Sequence, residues 1–253
     1  MSIKTAVLNG VASIELARVQ KKNALDSQMY SDMTQALQSA LNDTQVRAVL
    51  IYGQPDVFSM GGDLEDLANP EYMAEKSPLR VFMHALSHFE KPVIAAVNGP
   101  AIGIGTALLL HCDMVYAADT AHFALPFVSL GLVPEFGSSY LVPRLIGRRK
   151  ACEKLLLAQP FNAQEAMDMG LVNAVLPETE VVNYARSIAE RFNKLPPAAV
   201  RATKHLVHAS FQQEVDVAIE AEAAAFAKQA GSDEVKEVLS AFLEKRWPDF
   251  TKF

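Results

Sequence analysis

The chain is short of several features that would assign it to a large class of proteins. Its 253 residues include only two cysteines, Cys112 and Cys152. They lie far apart in apolar contexts, which excludes a disulfide scaffold and points to two reduced core thiols in a reducing compartment. Positive charge is also in deficit: 23 Lys and Arg against 29 Asp and Glu give a formal net charge of -6. That balance argues against a general nucleic-acid binder. The local cluster Arg144, Arg148, Arg149, Lys150 and Lys154 reads mostly as solvated surface. No apolar run can span a bilayer; the longest, around residues 101–110, contains two glycines. The opening Met1-Ser-Ile-Lys-Thr5 shows no basic-then-apolar leader, and the closing Thr251-Lys-Phe253 is not a Ser-Lys-Leu address. The cytoplasm is therefore the expected compartment, with no membrane partner.

Some chemistries are missing as well. His84 and His88 stand four apart on a probable helix, but the Glu of a His-Glu-x-x-His motif and a third ligand are not there, so no metal site is expected. No Gly-x-Gly-x-x-Gly or Gly-x-x-x-x-Gly-Lys phosphate cradle occurs, and no Ser/His/Asp or Cys/His set is recognisable.

What is present is an ordinary globular composition, 50% hydrophobic and 21% charged. Residues 6–16 alternate about Asn9-Gly10 and predict a hairpin. Asp26 predicts a helix N-cap, with Met29, Met33, Ala36, Leu37, Ala40 and Leu41 recurring at helical spacing behind it. Buried strands are predicted over 46–52, 92–97 and 114–118, and helices over 77–89 and 103–110. Strand, glycine turn and helix recur without a strict period, which gives an α/β chain of ββα-like turns. From Val181 onward no strand is predicted, only alanine-rich helix laced with charge. A boundary near Pro196 divides a core, residues 1–195, from a helical region, residues 196–253.

Two glycine turns follow buried strands: Phe58-Ser-Met-Gly-Gly-Asp-Leu64 and Asn98-Gly-Pro-Ala-Ile-Gly-Ile-Gly-Thr106. Each puts free backbone N–H groups at or near a helix start, where two of them can form an oxyanion hole. Such donors stabilise developing negative charge by roughly 3–4 kcal/mol each. Downstream lies an apolar ribbon, residues 123–140, with a single acid, Glu135, between Pro134 and Phe136. Poor solvation there raises a carboxyl pKa and strengthens the carboxylate as a base. Ser138 and Ser139 are read as caps of the following helix, with orientation of Glu135 as the other possibility. Phe127, Leu132 and Phe136 are candidates for an acyl-pocket wall or for plain core packing.

In this order, Lys22-Asn-Ala-Leu25, the two glycine turns and the proline-glycine ribbon resemble the enoyl-CoA hydratase/isomerase (crotonase) superfamily. The resemblance implies a ββα spiral core with a C-terminal helical trimerisation region, and a homotrimer or dimer of trimers. It implies an acyl-CoA substrate, with coenzyme A as part of that substrate and no other cofactor. The oxyanion amides carry over to Gly62 and Ile104. Lys22, Ala24 and Leu25 carry over to the coenzyme A side, and Ser59, Met60, Gly61, Asp63, Leu64 and Gly103 to the acyl-CoA site. The two glutamates of the family's hydratases fall on Ala107 and Phe127, so both carboxylates are missing. The Pro-Phe, Leu-Gly, Pro-Glu and Ser-Ser-Tyr landmarks of residues 126–140 resemble instead the peroxisomal-type delta-3,delta-2-enoyl-CoA isomerases, whose single base carries over to Glu135. The resemblance thus implies an isomerase of fatty-acid β-oxidation. Its rivals are a one-carboxylate hydratase and a non-catalytic acyl-CoA-binding homologue.

Overall fold

Turn chemistry sets the first element. Ile3–Leu8 (β1) pairs antiparallel with Val11–Leu16 (β2) around Asn9 and Gly10, which both take positive φ, 48° and 72°. Asn-Gly adopts this hairpin turn with little strain. The computed structural model describes residues 2–67, 69 and 71–253. Further strands are Ala48–Tyr52 (β3), Val93–Val97 (β4), Ala101–Ile102 (β5), Met114–Ala118 (β6), His122–Ala124 (β7), Phe161–Asn162 (β8) and Ala174–Leu176 (β9).

They form two sheets. The larger has the order β1-β2-β3-β4-β6-β9 and is parallel from β2 onward. Its central strand β4, Val-Ile-Ala-Ala-Val, is buried at every position, as a strand covered on both faces must be. The smaller sheet has the order β5-β7-β8. Single-residue bridges Leu25↔Gly62 and Ser59↔Ala101 prolong this second layer. Each pass of the chain thus lays a strand in the first sheet and a short extended piece in the second, then departs as a helix. This is the spiral of ββα turns expected from the sequence.

Helix Ser27–Asn42 is capped by the Asp26 carboxylate, which accepts from Met29 N at 2.8 Å. Its buried stripe includes Tyr30 and Thr34, while Leu41 turns partly to solvent. Helix Pro78–Ser87, capped by Ser77, packs on it; the Tyr30 and Phe82 rings lie 5.7 Å apart. The helix expected over 103–110 is α-helical only from Ile104 to Ala107 and continues as the 3-10 turn Leu108–His111.

No strand follows β9 among the described residues. Helices Pro197–Ala209, Gln212–Gln229 and Asp233–Leu243 end the chain's regular structure apart from a terminal 3-10 turn. They lie on their own chain's core: Phe226 meets Tyr72 with ring centroids 5.6 Å apart, and Gly131 abuts Val235. Among the described residues no helix is long and apolar enough to cross a membrane. Two sequence expectations need correcting here. Cys152 is exposed, because it falls on the outer face of helix Arg148–Leu156. Lys154, expected at the surface, is buried beside Glu165 and over the Phe161 ring.

Candidate active site

The first glycine turn is tied to the Lys22–Leu25 segment strand-like, residue by residue. Met60 N donates to Lys22 O at 3.2 Å, Leu25 N to Gly61 O at 2.7 Å, and Asp63 N to Leu25 O at 2.8 Å. Ser59 Oγ donates to Asn23 O at 2.8 Å and accepts from Gly61 N at 3.1 Å. Lys22 and Met60 are exposed, Ala24 and Leu64 half-buried, and Leu25, Ser59, Gly61 and Asp63 buried. Gly61 takes φ +94° and lies so close to the second turn that a Cβ on it would meet Ile102 O at 3.0 Å. Only glycine combines that backbone with that approach.

Arg18, which sequence reasoning passed over, holds this turn in shape. Its guanidinium bonds Asp63 at 2.5 Å, Ala24 O at 2.9 Å and Asp26 at 3.2 Å. Burial pushes the Asp63 carboxyl up, but the Arg18 hydrogen bond and the Glu65 N–H outweigh it and hold it below the usual range.

The second glycine turn is stitched to the first. Phe58 N and Ser59 N both donate to Pro100 O, and Ile102 N donates to Ser59 O at 2.9 Å. Gly103, at φ +54°, opens helix Ile104–Ala107, with Phe127 as its nearest side chain. Among the described residues, the N–H groups of Gly62 and Ile104 meet no protein acceptor, while those of Gly61, Asp63 and Gly103 are engaged. They belong to adjoining turns of the two bridged segments. Ala107 behind Ile104 is fully buried, and Phe127 is buried too.

Glu135 is 3% exposed, and its Oε2 has no hydrogen-bond partner among the described residues. Burial, with a smaller push from the charge of Glu222, raises its pKa from 4.5 to about 8. Its backbone is held firmly. Ser138 Oγ donates to Glu135 O at 2.5 Å, and His111 Nε2–H donates to Phe136 O at 2.8 Å. The His111 ring stacks on Phe136 with centroids 3.9 Å apart, and burial drops its pKa to about 4, so it is neutral. Phe136 itself is fully buried against His111 and Phe82. Leu132 is buried, with its N–H on Phe127 O at 3.0 Å.

Three further groups border the base and the first glycine turn. Tyr30 and Tyr72 share a hydrogen bond of 3.2 Å between their hydroxyls, and the Tyr72 hydroxyl lies against Gly62. Burial chiefly raises both phenol pKa values well above normal, followed by the nearness of Glu135 for Tyr30, and of Tyr30 and then Glu135 for Tyr72. The pair thus lies between the first glycine turn and Glu135. Glu222, on helix Gln212–Gln229, accepts from Gly137 N at 2.6 Å and Ser139 N at 2.8 Å. The serines were expected to cap helix Ser138–Ile146; the capping oxygens come from Glu222 instead, and Ser138 bonds the Glu135 carbonyl. One signal could have revealed Glu222. It sits in the buried stripe Val215, Ile219, Glu222, Ala223, Phe226, where every other member is apolar.

The parts present are two free N–H donors and one buried, unpaired carboxyl. No group of three or more His, Cys, Asp or Glu among the described residues stands ready to hold a metal ion. Donors of this kind stabilise an enolate oxygen, and a carboxyl of this kind moves a proton at carbon.

Comparison with known proteins decides the family. The chain matches the family described as Enoyl-CoA hydratase/isomerase over residues 7–252. It belongs to that family, within the crotonase superfamily. Among solved structures it is similar to Pseudomonas aeruginosa OdaA, at 46% identity and a TM-score of 0.93, over 96% of this chain and 98% of that one. Other family members carry different activity names. The 2,3-dehydroadipyl-CoA hydratase of Escherichia coli is 33% identical, over 95% of this chain and 94% of its own. The peroxisomal Enoyl-CoA delta isomerase 3 of Mus musculus is 34% identical, over 94% of this chain and 77% of its own. Family membership therefore fixes a hydratase/isomerase-type enzyme, and the residues of this chain must decide between the two.

Proposed function

We propose that the protein is a delta-3,delta-2-enoyl-CoA isomerase of fatty-acid β-oxidation that uses Glu135 as its single base. A 3-enoyl thioester has acidic hydrogens at C2, between the carbonyl and the double bond. Glu135 removes one, and the electrons delocalise into a dienolate. The N–H groups of Gly62 and Ile104 hold the thioester oxygen as it gains charge. The carboxylic acid so formed returns the proton at C4, leaving the double bond at C2. Coenzyme A enters as part of the substrate, and the balance of atoms requires no other cofactor. Lys22, Ala24 and Leu25 face the coenzyme A side in this reading. Ser59, Met60, Gly61, Asp63, Leu64, Gly103, Phe127 and Leu132 surround the acyl thioester, and Phe136 backs the base.

The observation that carries the reading is a buried carboxyl without a hydrogen-bond partner, Glu135, with Ala107 and Phe127 where the family's hydratases place their glutamates. Hydration needs a second group to hold and activate water. The nearest other acid, Glu222, already spends both oxygens on backbone N–H groups. We also propose a homotrimer or dimer of trimers, in keeping with the apolar side chains Leu206, Val207, Leu243 and Trp247 that one chain leaves exposed.

The test is product analysis on 3-hexenoyl-CoA deuterated at C2. Isomerisation gives 2-hexenoyl-CoA with label at C4. Net addition of water to 2-hexenoyl-CoA, or tight coenzyme A binding with no turnover, would replace the reading by its hydratase or binding-protein rival.

A further inference from the structure

We infer that Glu222 is a positioning residue for the reaction: from helix Gln212–Gln229 it clamps the loop that carries Glu135 and places a second buried carboxylate beside the base. The inference rests on Glu135 being that base.

The loop needs a clamp. Phe136 has φ +59° and Gly137 φ +71°, so two successive residues after Glu135 are left-handed, one of them a bulky aromatic. An aromatic residue in that region is strained and persists only where its surroundings hold it. His111 grips the Phe136 carbonyl on one side. Glu222 grips the next free N–H groups, on Gly137 and Ser139, with one oxygen each. His111 and Glu222 thus grip opposite edges of the one peptide that joins Phe136 to Gly137, while Ser138 Oγ holds the Glu135 carbonyl on the other side of the strained residue; together they set the direction of the Glu135 side chain.

A clamp alone does not require a charge. Serine or asparagine caps helix starts well and carries none. Glu222 instead puts an acid, 5% exposed, into an apolar stripe. Among the described residues no Lys, Arg or His pairs with it. Its charge is left to two N–H dipoles and to its neighbour Glu135. The other titratable groups facing Glu135 are the phenols of Tyr30 and Tyr72, and His111 stacks on the adjoining Phe136. All three are neutral near pH 7, so Glu222 is the one that can act on Glu135 by charge. Its effect is to keep the proton on Glu135 to higher pH and to make the carboxylate a stronger base once formed. Helix Gln212–Gln229 thereby couples its own docking to the competence of the base.

Two variants separate the clamp from the charge. Glu222→Gln keeps the length and loses the charge. Glu222→Asp keeps the charge and draws the oxygens back by one methylene. Each is assayed with 3-hexenoyl-CoA from pH 5.5 to 9.5, and the Glu135 carboxyl is titrated by infrared spectroscopy, its band identified by its loss in Glu135→Gln. In Glu222→Gln the rising limb of kcat/KM and the infrared titration should both move to lower pH by about one unit, tenfold in the proton equilibrium. In Glu222→Asp the limb should stay, while kcat falls by about tenfold or more at little-changed KM, as expected for a misdirected base. An unmoved limb and titration in a folded Glu222→Gln, or wild-type kcat in Glu222→Asp, would overturn the inference. If Glu222→Gln does not fold, Glu222→Asp decides alone by its kcat. If the wild type does not isomerise, yet the infrared titration of Glu135 still moves in Glu222→Gln, the proposed reaction falls and the coupling of the two acids stands.

Discussion

The Tyr72 hydroxyl lies against the backbone of Gly62: a Cβ built on Gly62 would stand 2.7 Å from that oxygen. The phenol is fully buried and hydrogen-bonded to Tyr30, so it has little room to retreat. Gly62 is not at positive φ, so alanine suits its backbone and the collision alone is at issue. Gly62→Ala should leave the fold intact and reduce kcat/KM about 100-fold, the loss typical of one oxyanion donor moved out of line. Adding Tyr72→Phe removes the colliding oxygen and should recover much of that loss. A double-mutant cycle on kcat/KM checks both.

Activity should depend on the proton of Glu135. Burial, and then Glu222, hold its pKa up at about 8, so the free enzyme carries the neutral acid at lower pH. A base must first lose that proton. The kcat/KM for 3-enoyl-CoA should therefore rise through about pH 8 and level off above it. A profile already flat from pH 6 would show that the carboxyl is solvated in the working enzyme.

Stability should run the other way. The folded pKa of Glu135 lies above its unfolded value of 4.5, so the folded chain holds a proton that the unfolded chain releases. Its contribution is complete below about pH 4.5 and is lost as pH rises through about 8, at about 1.4 kcal/mol per pH unit in between. Glu135→Gln should remove that part of the decline and be the more stable protein at pH 9. Glu222, also raised by burial, leaves a residual decline of the same sign. Urea unfolding of both proteins at pH 5, 7 and 9 measures the difference.

Arg18→Ala should be among the more damaging changes outside the core. It strips Asp63, a buried acid, of its cation and leaves Ala24 O without a donor. Removing one partner of a buried pair costs about 3–5 kcal/mol. Arg18→Lys should restore little, because a single ammonium cannot reach Asp63, Asp26 and Ala24 O together as the planar fork does. Chemical denaturation gives the stability loss, and a raised KM reports the slackened first glycine turn.

Strong local signals were legible in the sequence. The Asn9-Gly10 hairpin, the Asp26 cap and strand Met114–Ala118 lie where turn residues and apolar periodicity put them. The short pieces of the second layer escaped notice. β5 and β8 have two residues each, and Leu25, Gly62 and Ser59 join the layer through single bridges, too few for an alternating pattern to show. At the site, Glu135 stood out because its neighbours are apolar and contiguous in sequence. Glu222 did not, because its acidic helix presents one buried stripe among many exposed charges, and its partners Gly137 and Ser139 lie some 80 positions away in the chain. Arg18 and the tyrosine pair were hidden for the same reason: their partners are brought together only by the spiral.

The most direct test of a single-base isomerase is the initial rate of conversion of 3-hexenoyl-CoA to 2-hexenoyl-CoA by purified wild type and Glu135→Gln, at pH 9 where the base is ionised. The account predicts turnover by the wild type and a loss of about 100- to 10,000-fold in the folded variant, the range for removal of a general base. Undiminished isomerisation by Glu135→Gln, or formation of 3-hydroxyhexanoyl-CoA in place of the isomer, would contradict it.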